Sequence, residues 1–196
     1  MKKRLIRIAI LSIIALTVVG ISVYLQKPEN SIDSVVAKNF GGAFELTDHT
    51  GKTVTDKDFD NQWRMIYFGF TYCPAICPTE LQKMAATLKD LGKKGEIIKP
   101  VFISVDPERD TVDVMKGYVE LFHPRLVGLT GTVEQVDVAK KAYKIYSAKV
   151  KDDTMTEYTV DHSSYIYLMN PKNELVRIFT IEDTAKEMAA FIAAAL

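Results

Sequence analysis

Cysteine is nearly absent from this 196-residue chain, which holds only Cys73 and Cys77. Two cysteines exclude the multi-bridge framework of a small secreted scaffold. A bridge between residues so close in sequence would close too short a loop to add much stability, so the pair reads as chemistry. Net charge is absent too: 25 basic against 25 acidic residues leave no electrostatic footprint of nucleic-acid binding. Internal repeats and low-complexity tracts are missing. No acidic residue occurs before Glu29, whereas Lys2, Lys3, Arg4 and Arg7 open the chain. Without residues 1–26, which hold four of the basic residues and none of the acidic ones, the remainder is mildly acidic. What is present is ordinary for a globular protein, at 47% hydrophobic and 26% charged. About 160 residues suffice to bury a core without staples.

Ile8 to Leu25 is a run of 18 residues without a charge. As a helix it would span about 27 Å, enough to cross a hydrocarbon core. The basic cluster before it and the lone Lys27 after it place the N-terminus in the cytoplasm (or matrix) and export the rest. A cleaved signal peptide is the competing reading, with Gly20-Ile21-Ser22 as a weak small-x-small site. The apolar run continues past that site, which favours a retained anchor. No cysteine follows the run to carry a lipid anchor. The expected organisation is a transmembrane anchor over 1–26, a polar linker over 27–38 containing Pro28 and Asn30, and one domain over 39–196.

Within the domain, Phe44 and Leu46 alternate with polar residues up to Asp48-His49-Thr50-Gly51, predicting a hairpin that returns through Val54. Met65 to Phe70 reads as a buried strand. Leu81, Met84, Ala85, Leu88 and Leu91 share one helical face over Thr79 to Leu91, and Gly92 ends that helix. Val101 to Val105 is a second buried strand, with Pro100 suited to a strand's first residue. Asp110 is expected to cap a helix over Thr111 to Phe122, stopped by His123-Pro124. A short strand follows at Leu126–Leu129, then a helix capped by Thr132 with capping-box spacing to Gln135. Strands are expected near Ile145–Val150, Ser164–Met169 and Leu175–Thr180, the last two joined by Asn170-Pro171-Lys172-Asn173. A final helix covers Asp183 to Ala195. This order gives an α/β domain whose mixed sheet begins parallel and ends antiparallel, a thioredoxin-like arrangement flanked by helices.

Cys73-Pro74-Ala75-Ile76-Cys77-Pro78 lies where the first buried strand hands over to a helix. Pro78 suits the first helical turn. That puts Cys77 near the helix cap, where free N–H groups and the helix dipole favour a thiolate. The spacing is C-x-x-x-C and not the C-x-x-C of thiol redox proteins, and a structural zinc site would need a second cysteine pair. Two thiolates with one imidazole would suit Cu(I). The motif alone does not separate metal binding from redox chemistry, and two inert buried cysteines are the bland alternative.

Three histidines are candidate third ligands. His49 falls in the hairpin turn and reads as a solvated turn residue. His123 sits at a helix end, where the dipole accounts for it. His162, in Tyr158-Thr159-Val160-Asp161-His162-Ser163-Ser164, stands just before a late strand. In a thioredoxin-type domain that loop packs against the cysteine loop, and Asp161 is positioned to orient the ring. Val105-Asp106-Pro107-Glu108-Arg109-Asp110-Thr111 reads as a turn and cap, with an exposed charged edge near the site, positioning the metal loop or a partner, as its sharper alternative. Met155 is a loop methionine and weak evidence for copper.

Taken together, FGFTYCPAICP, FISVDPERDT and VDHSSYIYLMNP resemble the Sco (SenC) family of copper-binding assembly factors, over roughly residues 36–196. The resemblance implies a thioredoxin-like fold and one copper ion held by Cys73, Cys77 and His162. It further implies assistance in assembling the binuclear copper site of cytochrome c oxidase. The expected partner is that copper-site subunit, with other copper chaperones or thiol reductants as further candidates. Expected localisation is the inner (plasma) membrane, single-pass, with the domain on the periplasmic side; a mitochondrial inner membrane is the less favoured setting. The family often has Asp after the first Cys-Pro, where this chain has Ala75, so no acidic role carries over to that position.

Two functions from different classes remain. The first is a metallochaperone without turnover. The second is a thiol–disulfide oxidoreductase acting through the same cysteines on those of the copper site. The spacing weakens the second, as does the lack of any proline between Pro124 and Pro171, since a thioredoxin carries one opposite its cysteines.

Overall fold

The computed structural model describes residues 39–151 and 156–196, together with Thr17. Apart from Thr17, the expected anchor and linker lie outside the described residues, as does Met155. Among the described residues no helix is long and apolar enough to cross a membrane.

The domain is a thioredoxin-like α/β fold built on a seven-stranded mixed sheet with flanking helices. In chain order it runs β1 (Glu45–Asp48), β2 (Thr53–Thr55), β3 (Trp63–Gly69), α1 (Ile76–Leu91), β4 (Ile98–Ser104), α2 (Val112–Val119), β5 (Val127–Thr130) and α3 (Val133–Ala142). It continues with β6 (Ser147–Val150), β7 (Thr159–His162), β8 (Ile166–Met169), β9 (Leu175–Phe179) and α4 (Ala185–Ala195). The sheet order is β2-β1-β5-β4-β3-β8-β9, and β6 and β7 form a separate hairpin. β3, β4 and β5 are parallel, while β8, β9, β1 and β2 join antiparallel. The connections follow the residues: two crossovers, each carrying a helix, link the parallel strands, and the tight turn at Asn170–Asn173 links β8 to β9.

Strand β3 lies inside the sheet between β4 and β8 and is buried along its length after Trp63. Alternation sorts its side chains. Phe68 meets Tyr143 at the end of α3 and Tyr167 of β8. Tyr67 and Gly69, on the other face, meet Phe102 of β4 and the sulfur of Cys77. Leu81, Met84 and Leu88 of α1 and Met188 and Ile192 of α4 are buried, and these two helices pack on each other. Capping boxes at Thr132/Gln135 and Thr184/Glu187 start α3 and α4.

Several local expectations need correction. Helix α1 starts at Ile76, three residues early, because Pro78 occupies its first turn without needing an N–H donor. Asp110 is not the cap of α2. Thr111 is, accepting from the Val114 N–H, which frees the Asp110 carboxylate for the cysteine loop. α2 ends at Val119, before Phe122. Pro100 is the third residue of β4, not the first. Pairing to β5 begins only at Val101, so one edge of β4 is still open where the missing N–H falls. The segment before β8 is itself a strand, β7, with His162 as its last residue.

Candidate metal centre

The loop from Phe70 to Ala75 carries Cys73 from the end of β3 to the start of α1. Its shape is set by a buried carboxylate. Asp110 accepts from the Thr71 N–H at 3.2 Å to each oxygen, from the Thr71 hydroxyl at 2.6 Å and from the Ser104 hydroxyl at 2.6 Å. Burial nevertheless raises the Asp110 pKa above its usual range, with the hydroxyl and N–H donors opposing. The Thr130 hydroxyl donates to the Asp110 carbonyl. The cysteine loop is thereby tied to the ends of β4 and β5.

Cys77, in the first turn of α1, is fully buried and Cys73 is half-buried. The Cys77 N–H donates to the Cys73 sulfur at 3.3 Å, the helix-start donation that favours a thiolate. Gly69 makes room for the other sulfur: a Cβ at 69 would stand 2.8 Å from Cys77 Sγ. Cys77 Sγ in turn lies 3.4 Å from His162 Nε2. The donor atoms of Cys73, Cys77 and His162 all fall within 4.8 Å of one another. The imidazole is edge-on to the rings of Tyr67 and Phe70, and its Nδ1 faces the Ser163 carbonyl at 3.0 Å. A carbonyl only accepts, so Nδ1 carries a proton, and Nε2 is the ring nitrogen that faces the sulfurs.

The two thiols are electrostatically unequal. A hydrogen bond from the Cys77 thiol holds Cys73 down to about 3, with burial opposing and His162 and the backbone N–H groups of Cys77 and Ala75 adding to the effect. Its hydrogen bond to Cys73, and then burial, push Cys77 up. The two sulfurs form one coupled pair, with negative charge favoured at Cys73 and the shared proton favoured at Cys77.

The donor set suits a soft ion. Metal–sulfur bonds of about 2.3 Å and a metal–nitrogen bond of about 2.0 Å give donor separations of about 3.7–4.0 Å in a trigonal site. The three atoms need only small shifts to reach that triangle. No carboxylate joins the group among the described residues, so hard oxygen-seeking cations have little to hold.

A family model for SCO1/SenC matches residues 33–196. The chain belongs to the SCO1/SenC family. It is 45% identical over 155 residues to the Homo sapiens protein named "Protein SCO1 homolog, mitochondrial", covering 78% of this chain and 52% of that protein. The chain therefore spans about half the length of that relative. Among solved structures it is similar to Bradyrhizobium japonicum ScoI with copper bound, at 40% identity and a TM-score of 0.73 over 80% of this chain and 99% of that one. It is also similar to BsSco, described as a member of the Sco family of cytochrome c oxidase assembly proteins with a disulfide switch. That match has 25% identity and a TM-score of 0.58 over 80% of this chain and 94% of BsSco.

The structure brings together all three side chains that the sequence singled out. The other expectations fare differently. His49 is not a free turn residue: its Nδ1 accepts from the Gly128 N–H and its own N–H bonds the Gly128 carbonyl, fastening the hairpin to β5. His123 lies in the turn beyond α2, where it accepts from the Arg125 N–H, and it does not join the cysteine group. Asp161 is exposed and the Ser163 carbonyl, not Asp161, faces Nδ1. In the motif at 105–111, Asp106 and Asp110 are buried and bonded inward, Asp110 to the cysteine loop, while Glu108 is exposed and paired with Lys149. Sequence reasoning missed the roles of Gly69 and Tyr67 beneath Cys77. The FGF tripeptide, a glycine between two phenylalanines in a buried strand, was the available signal, because such a glycine marks a close approach.

Proposed function

We propose that this chain is a copper metallochaperone: it carries one copper ion as cargo on Cys73, Cys77 and His162 and assists assembly of the binuclear copper site of cytochrome c oxidase. The observation that carries the reading is the convergence of two sulfurs and one imidazole from segments 85 positions apart within 4.8 Å. The copper-bound relative of 40% identity supports it, and the family description of BsSco supports the oxidase partner. The apolar run at 8–25 supports a single-pass anchor with the domain on the periplasmic side.

The uneven burial fits a carrier. Cys77, enclosed by Tyr67 and Gly69, acts as the retained ligand. Cys73 and His162 lie at the rim, where a partner's ligand can replace them one at a time. Transfer would begin at Cys73, the more accessible sulfur.

The purified full-length chain is expected to bind one Cu(I) per molecule in competition with a chromophoric chelator. His162→Ala should weaken binding by about tenfold or more, and Cys73→Ser and Cys77→Ser should weaken it further. Wild-type affinity in all three variants would remove the proposal.

One observation favours a second reading. A half-exposed thiolate at Cys73 backed by a buried thiol at Cys77 is also the layout of an attacking and a resolving cysteine. In that reaction the Cys73 thiolate attacks a partner disulfide, forming a mixed disulfide and releasing one partner thiolate. Cys77, once deprotonated, attacks Cys73 Sγ and releases the second, leaving the Cys73–Cys77 disulfide. Reductase turnover that survives in His162→Ala would assign the chain to this chemistry.

A further inference from the structure

The 105–111 motif holds a group that the copper site does not use directly. Arg109 is largely covered by three separate segments. Its guanidinium carbon lies 3.7 Å from the centre of the Tyr158 ring, 4.9 Å from that of Tyr72 and 5.8 Å from that of Phe70. Its Nη1 donates to the Tyr158 carbonyl at 2.8 Å, and its Nε donates to Asp106. Asp106 closes the circuit by accepting from the Tyr158 hydroxyl at 2.7 Å. Asp106 is itself fixed, being buried with its N–H bonded to the Ser104 hydroxyl. Lys149 of β6, paired with Glu108, stands 4.7 Å from the same Tyr158 ring.

These contacts join the three parts of the metal centre. Phe70 and Tyr72 precede Cys73 on the cysteine loop. Asp106 and Arg109 belong to the β4–α2 connection. Tyr158 immediately precedes β7, whose last residue is His162. The β6–β7 hairpin shares no ladder with the main sheet, so backbone pairing to that sheet does not set its position. A planar cation stacked on aromatic rings and bonded at both its Nε and Nη1 edges supplies that positioning, in a form lysine cannot reproduce.

We propose that Arg109 is a positioning residue that clasps the β6–β7 hairpin to the cysteine loop and thereby presents His162 to the two sulfurs. The clasp acts at the entry to β7, and the strand transmits the position to His162. This rests on His162 being the third ligand, but its first test does not involve metal.

In metal-free full-length protein, Arg109→Lys should speed amide hydrogen exchange about tenfold or more at residues 159–162, with α1 and α4 unchanged. Tyr158→Leu should act alike. Tyr158→Phe, which keeps the ring and loses only the hydroxyl, should have a smaller effect. In the copper arm, Arg109→Lys should lower Cu(I) affinity about as far as His162→Ala. The double variant should be no weaker than His162→Ala alone, since a positioning residue has nothing left to position. The Cu(II)-loaded Arg109→Lys protein should show weakened imidazole nitrogen couplings in electron paramagnetic resonance. Unchanged exchange at 159–162 in Arg109→Lys overturns the clasp, as does a copper loss additive with that of His162→Ala. Wild-type copper affinity in His162→Ala strikes instead at the ligand reading, and the exchange result then judges the clasp alone.

Discussion

Gly69→Ala tests how the buried sulfur is seated. The added methyl would stand 2.8 Å from Cys77 Sγ, 2.9 Å from Tyr67 Cε1 and 3.0 Å from Phe102 Cε2. All three neighbours belong to fully buried side chains, so none can swing into solvent. Gly69 does not adopt a positive φ, so the cost is one of packing and not of backbone strain. Overpacking of this kind costs about 1–3 kcal/mol. In a domain of this size about 2 kcal/mol lowers Tm by roughly 4–8 °C. The least anchored of the three is the sulfur, on the first turn of a helix, and it should retreat from β3 by a few tenths of an ångström or more. That movement carries it off the triangle with His162 Nε2. We therefore expect thermal unfolding of the metal-free protein to shift down by this amount and Cu(I) affinity to fall by about tenfold. Unfolding and copper affinity both equal to wild type would refute the close-packed seat.

Thiol reactivity should be uneven. In metal-free protein at pH 6, iodoacetamide should label Cys73 well before Cys77, read by mass spectrometry of the labelled peptides; equal rates would contradict the shared-proton arrangement. Asp110→Asn probes the raised carboxyl. With its folded pKa above its unfolded value, the folded state binds more protons in that interval, so the Asp110 contribution is full below about pH 4 and declines as pH rises through the folded pKa. The stability of wild type relative to Asp110→Asn, from urea midpoints, should therefore fall as pH rises above about 4, and a rising difference would reverse the argument. Thr132→Ala removes the cap of α3 and should cost about 1 kcal/mol, seen as a lower urea midpoint with copper affinity unchanged.

The sequence made the parallel core legible because its strands are buried on both faces and read as unbroken apolar runs, while the helices between them show one-sided stripes and capping signals. The three ligating candidates were legible for a different reason: they are scarce residue types at element boundaries. Where the reading missed, side chains were bonding across the fold. Asp110 looks like a cap because it precedes a helix, yet its partners are Thr71 and Ser104, reached only once β3 and β4 lie side by side. His49 looks like a turn residue, and its bond to Gly128 depends on β1 pairing with β5. β7 escaped notice because four residues of a detached hairpin, Thr159 to His162, present one buried valine and no periodic run.

The same detachment connects architecture to function. Cys73 and Cys77 are fixed relative to one another by four residues of chain and a helix start, so their geometry is local and hard to perturb from a distance. His162 arrives on a hairpin that shares no ladder with the main sheet, with its ring set against Tyr67 and Phe70 and its strand entry held by Arg109 on the ring and carbonyl of Tyr158. A site assembled in this way has two ligands of fixed spacing and a third whose approach can be adjusted without disturbing the core. For a copper carrier that division is useful. Grip depends on all three donors, and once a partner's ligand has displaced Cys73, His162 can yield with its hairpin while Cys77 stays in place. Substitutions along the hairpin should accordingly change copper exchange rates more than global stability, whereas substitutions beneath Cys77 should change both.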